Sequence, residues 1–205
     1  MVERTFSADQ YPDALLHGDV LVKAFRAVQR QLKIAFPEEG FKHHVVPPSP
    51  TKSVWDRILT GKLSVGLAFS RWTAEAKSGT SFRGTLSFPV FLIVKHSNPE
   101  AVYFGTSDKW GVGVLGMTEM AVAMLHNVSI NGLGIMRVRA VSFPDGAEWL
   151  DANTAIGGVE VYFEDVGLSN DLLLGQLPDF LTLAETWTVD GNTQPQTTLN
   201  VREDA

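Results

Sequence analysis

Gly111-Val-Gly-Val-Leu-Gly116 matches the G-x-G-x-x-G pattern of dinucleotide-binding loops, and a helix is predicted to follow it. Such a loop works because glycines let backbone N–H groups approach a pyrophosphate at a helix N-terminus, with a strand feeding directly into the turn. Here the preceding residues, Thr106-Ser-Asp-Lys-Trp110, are loop-forming, and the nearest predicted strand ends near Lys95. No acidic residue closes a second strand about 20 positions on, where a ribose contact would need one. The glycines are therefore expected to allow close packing at the start of a buried helix, with a nucleotide-binding enzyme as the remote alternative. His43-His44 invites a metal, but adjacent histidines point in different directions, and His17, His96 and His126 lack ligand spacing. A surface loop is expected there. For nucleophilic or acid–base work there is no G-x-S-x-G, and the acidic neighbours Glu38-Glu39 and Glu164-Asp165 have the spacing of solvated turns and strand ends. The chain has no cysteine, which removes disulfides, thiolate metal sites and a Cys nucleophile. No catalytic, cofactor-binding or metal-binding residue is assigned, and the expectation is a protein that assembles rather than catalyses.

A different chemistry lies in Lys23, Arg26, Arg30 and Lys33, which recur at spacings of three and four and share one helix face. A solvated face is the ordinary explanation. The sharper one is a surface that meets an acidic neighbour or lines a channel carrying DNA. The chain as a whole is acidic, with a net charge of −6, whereas duplex binders are usually basic because phosphate neutralisation supplies their affinity. Nucleic acid is thus not expected as the main partner.

The elements that carry these residues follow from periodicity. Asp19 is a plausible N-cap for a helix to about Phe36, with Leu21, Phe25, Val28, Leu32 and Ala35 as its apolar stripe. Pro37, Pro47, Pro48 and Pro50 predict an irregular connection from 37 to about 55. Leu63 to Arg71 alternates with period two and predicts a half-buried strand; 73–84 predicts an exposed loop. Thr85 to Lys95 is nearly continuously apolar, which predicts a strand covered on both faces, with a bulge or unpaired edge at Pro89. The two strands make a long-tipped hairpin.

A second helix is predicted over Gly113 to Asn127; it is apolar nearly all round, so it is expected to be buried in the core or against another subunit. Strands follow at Ile135 to Phe143 and Ala155 to Val166. Arg137 and Arg139 on one strand and Glu160, Tyr162 and Glu164 on the other are placed to pair across them. Beyond Leu168 an alternating segment, Phe180 to Val189, a turn at Asp190-Gly191-Asn192 and a short strand predict an extended arm or hairpin. The expected fold is α+β: a mixed or antiparallel four-stranded sheet with two main helices in the order α-β-β-α-β-β. The expected division is a domain over 1–168 and a C-terminal arm over 169–205. The opening residues lack the apolar stretch of a signal peptide, and no run reaches the roughly 18–20 apolar residues of a membrane span.

This succession of elements, over roughly residues 15–168, resembles the tail-terminator proteins of long-tailed bacteriophages, in particular those of Mu-like phages. The resemblance rests on the helix 19–36, the hairpin 63–71/85–95, the helix 113–127 and the strand pair 135–143/155–166. It leaves the arm unaccounted for, and the stretch 37–55 is longer than the minimal fold needs. The family implies a structural virion protein of the tail or neck, assembled in the host cytoplasm. It would form a homo-oligomeric ring, usually a hexamer, that caps the tail tube, ends its polymerisation and meets the head–tail stopper or neck protein. DNA would pass through the lumen as cargo. A stopper, a head-completion protein and a tube subunit are the alternatives within such a particle. Under this resemblance Lys23, Arg26, Arg30 and Lys33 are candidates for the lumen or a subunit contact. Trp72 and Phe82 on the hairpin, and Phe180 and Trp187 on the arm, are candidate assembly contacts.

Overall fold

The computed structural model describes residues 17–47, 51–75, 82–143 and 153–168, together with the backbone of four short strands between 182 and 200. In chain order the elements are α1 (Val20–Ala35), β1 (Lys42–Val45), α2 (Lys52–Ile58), β2 (Leu63–Leu67), β3 (Arg71–Ala74) and β4 (Arg83–Lys95). They continue with α3 (Pro99–Phe104), α4 (Val114–Leu125), β5 (Val128–Ile130), β6 (Gly134–Ser142) and β7 (Thr154–Gly167). The short strands are β8 (Thr182–Glu185), β9 (Thr188–Val189), β10 (Asn192–Thr193) and β11 (Thr197–Asn200).

The fold is α+β with a mixed sheet, but that sheet has seven strands rather than the expected four, in the order β1-β2-β4-β7-β6-β5 with β3 also on β4. Three strands escaped prediction for identifiable reasons. β1 and β5 are four and three residues long, too short to display a period. β3 overlaps the predicted strand only at Arg71 and otherwise falls where an exposed loop is expected, its four residues being too few to display a period. The stretch 37–55 is likewise not irregular: it contains β1, which runs parallel to β2, and the start of α2. The remaining unpredicted helix is α3, whose start carries a readable signal. Asn98 Oδ1 accepts the Glu100 N–H, and Pro99 occupies the first helical turn.

Pro89 explains why β2 and β3 are separate. Its carbonyl accepts the Ala68 N–H at 3.0 Å, so the side of β4 on which proline lacks its own donor faces Ala68 to Ser70. Leu67 pairs with Val90 and Arg71 with Ser87, leaving three residues opposite two. The expected bulge at Pro89 is there, and Ser70 N–H and Oγ both bond Ser87 O at 3.0 Å to close it.

Two apolar layers cover the sheet. α1 and α4 lie on one face over Leu63, Val65, Leu67, Leu86, Phe88, Val90, Leu92, Val159, Val161 and Phe163. α2 covers part of the other face through Val46, Ile58, Ala68, Ile93 and Ile156, with Trp55 edge-on to Phe91 at 5.2 Å. This second layer corrects the expectation for β2, all five of whose residues are buried. The positions read as its solvent side, Ser64 and Gly66, lie beneath the α2 side, where Ser64 Oγ donates to Ile58 O at 3.5 Å. β4, in contrast, is covered on both faces as its composition required.

Past the reach of α2, the same sheet face is charged. Arg137 meets Glu164 at 2.8 Å, and Arg71 meets Glu160 at 3.3 Å. Arg139 takes a different partner, the Tyr162 ring at 4.4 Å, because a register shift between Val138 and Ala140 places it on the bulge. Among the described residues no helix is long and apolar enough to cross a membrane.

Candidate assembly surfaces

α1 packs through Ala24, Ala27, Val28 and Leu32, whose small and branched side chains let the helix lie close to the sheet. That orientation turns Lys23, Arg26, Arg30 and Lys33 to solvent as one face. The helix contains no acidic residue to offset them. Lys33 is offset from outside by Glu38 at 2.6 Å, and this hydrogen bond and charge hold the Glu38 carboxyl below its usual range. Arg26 donates to Gln29 at 2.9 Å, and the Lys23 amine lies over the Gly132 turn. Among the described residues, the other three cations have no ion-pair partner.

The same orientation corrects the apolar stripe. Leu21 was expected in the core but is exposed, as is Val22. With Phe25, Val45, Phe69 and Phe88 they line an open groove of about 370 Å³, with Arg26 at its edge. A periodicity argument cannot see this groove, because two of its walls come from β1 and the residues after β2.

α4 buries Val114, Met117, Thr118, Ala121 and Leu125 and leaves Leu115, Glu119, Met120 and Ala123 exposed. Glu119 is the only charged residue in its 12 positions. Of the two burial options for this helix, the chain's own core accounts for one side alone.

The hairpin aromatics behave differently. Trp72 and Phe82 meet edge-to-face at 4.9 Å, at the base of the hairpin rather than at its tip. Phe82 O accepts the Leu168 N–H at 2.9 Å, and Arg83 grips both carboxylate oxygens of Asp165 at 2.7 and 3.0 Å. Asp165 reaches Arg83 from a left-handed backbone conformation, φ 54°, at the irregularity where β4 and β7 shift register. Phe82 nevertheless stays 37% exposed, and the buried Trp72 Nε1 has no hydrogen-bond partner among the described residues. Phe180 and Trp187 lie outside the described residues.

The remaining motifs resolve into packing. The 111–116 loop follows α3, not a strand. A Cβ on Gly113 would stand 2.1 Å from Tyr103 O, and one on Gly111 would stand 2.0 Å from Thr106 Oγ1. These two glycines permit the α3–α4 corner to close. A cleft of about 390 Å³ beside the loop is lined by Lys62, Lys95, His96, Asp108, Lys109 and Trp110, but Trp110 is held against Gly40 and edge-on to Phe41 at 5.7 Å. A nucleotide at 100 times its dissociation constant would stabilise the fold by about 2.7 kcal/mol. We expect no thermal shift with adenine or guanine nucleotides, and a clear shift would restore the binding reading.

His43 and His44 are in β1 rather than in a loop. His43 Nε2 bonds Phe36 O at 2.6 Å, tying the strand to the end of α1. His44 Nε2 is buried without a partner among the described residues, and burial pushes its pKa down, followed by the charge of Lys42. Among the described residues no three His, Asp or Glu side chains gather as a metal would need. No protein-family model matches this sequence, and no curated protein matches it in a sequence search.

Proposed function

We propose that this chain is a structural virion protein that forms a ring on the end of a phage tail tube, stops tube growth and offers the head or neck its attachment surface. The observation that carries this reading is the outer face of α4, where Leu115, Met120 and Ala123 stand in solvent on a helix with one charge. An apolar face left over when the core is complete marks a surface that another subunit covers. The groove beside α1 is a second such surface at a different place, and a ring requires two different patches that meet head to tail. The basic face of α1 suits a lumen through which DNA passes, or a contact with an acidic neighbour. The succession α1, β2, β4, α4, β6, β7 supports the family resemblance, with the other elements as additions to it.

The test is oligomeric state by light scattering and negative-stain imaging, with and without tail-tube protein. A discrete ring, or a monomer that becomes a ring on the tube and shortens tubes, is the expected result. Leu115→Asp with Met120→Asp should abolish the ring while leaving unfolding within about 0.5 kcal/mol of the parent, since both sites are exposed. A strict monomer that never caps tubes overturns the reading. Long cylinders of this chain alone would make it a tube subunit instead.

A further inference from the structure

The acidity of this protein is not evenly spread. Residues 169–205 contain Asp171, Asp179, Glu185, Asp190, Glu203 and Asp204 against Arg202 alone, a balance of −5 within a chain of −6. α1, at the other end of the sequence, holds four cations and no acid. Residues 1–168 thus sum to −1, with α1 contributing +4 and the remainder −5, and the chain carries a basic helix face and an acidic tail.

β8 pairs with β11 and β9 with β10, as ladders separate from the seven-stranded sheet. An isolated two-stranded hairpin is marginal in water and needs a surface to pack on. Its register sets Leu183 opposite Leu199, with Thr182 opposite Asn200 and Ala184 opposite Thr198 on the alternate positions. Leu183 and Leu199 share their face of the ladder with Glu185 and Thr197, so that face carries the two leucines and an acid.

We infer that the groove of Leu21, Val22, Phe25, Val45 and Phe69, with Lys23, Arg26 and Arg30 beside it, is the seat of the C-terminal arm of a second copy. The inference rests on the ring reading, and it names the contact that would join one subunit to the next. The groove supplies the apolar floor for the leucine face, and the three cations supply the charge that the arm's acids complement. Thirteen residues separate the end of the described β7 region at Leu168 from β8, a span of at most about 45 Å when extended, which lets the arm leave its own subunit. Exchange of an arm between identical chains is a low-cost route to assembly, and it is directional, as ring closure demands.

Because the chain has no cysteine, introduced thiols report this contact without background. Val22→Cys in one chain and Leu183→Cys in another, mixed and treated with a short bismaleimide, should give a covalent dimer of the two. Reversing Asp179, Glu185 and Asp190 to Lys in the Leu183→Cys chain should reduce that product at least ten-fold and remove the ring. Pairing this chain with one carrying Lys23→Glu, Arg26→Glu and Arg30→Glu alongside Val22→Cys should restore both, with far-UV circular dichroism unchanged throughout. Cross-linking that persists undiminished after arm reversal, or that occurs only when both thiols are on one chain, overturns the inference. A ring that survives arm reversal overturns the inference and leaves the ring reading standing; no ring from the parent chain, even on tubes, overturns the ring reading and the inference with it.

Discussion

Phe88→Ala is expected to lower the free energy of unfolding by about 3–5 kcal/mol, read as a drop in urea midpoint with little change in slope. Phe88 is fully buried near the middle of β4. Its ring meets Phe25 of α1 at 6.2 Å, Phe69 at 5.6 Å and Phe163 of β7 at 6.1 Å. These partners come from a helix, the β2–β3 connection and the next strand, so truncation leaves a cavity at the point where three parts of the fold join. Relaxation into the space is limited because Phe88 is paired with Val161 of β7 and β4 is held to β2 and β3 on either side of the bulge. The edge-on and tilted contacts add to the lost burial. Phe104→Ala supplies the comparison: its side chain is 75% exposed, and its removal should change stability by less than about 0.5 kcal/mol. A cost below about 1 kcal/mol for Phe88→Ala would show that the three rings do not share a tight core.

The second large effect is expected at Gly113, and it differs in kind from the loss of a ligand. An alanine methyl there would stand 2.1 Å from Tyr103 O and 2.5 Å from Gly105 N, both backbone atoms that cannot rotate away. The α3–α4 corner would have to open, displacing the first turn of α4 from the sheet. Overpacking of this kind costs about 1–3 kcal/mol and more where backbone must move. Gly116 belongs to the same motif but has only Val112 Cγ1 near, at 3.7 Å, and sits within α4. Gly116→Ala should therefore stabilise by about 0.5–1 kcal/mol, through helix propensity alone. A phosphate-cradling loop would show losses of ligand affinity at these glycines, whereas a packing corner divides them by stability. Equal effects at Gly113 and Gly116 in thermal or urea unfolding would contradict the packing account.

What could be read from residue order was whatever depends on neighbours in the chain. α1 begins after Asp19 and ends before Pro37 because a 3.6-residue period and a proline act locally. The limits of β4, β6 and β7 follow period-two or continuous apolar runs to within a residue or two of the expected ones. The interruption at Pro89 was legible for the same reason, since the missing donor is a property of one residue. α3 carries its start signal in Asn98-Pro99-Glu100, but its six residues are too few for periodicity to show.

Only the tertiary structure decided which surfaces remain. Whether Ser64 and Gly66 face water depends on α2, which comes before them in sequence and has no bearing on their alternation. The alanines at 24 and 27 set the rotation of α1 on the sheet, and that rotation put Leu21 and Val22 outside. The exposed side of α4 follows likewise from how much of the helix one sheet face can cover. Periodicity shows that a face is apolar; what covers it is a non-local fact, and at α4 and the α1 groove the described residues leave it exposed.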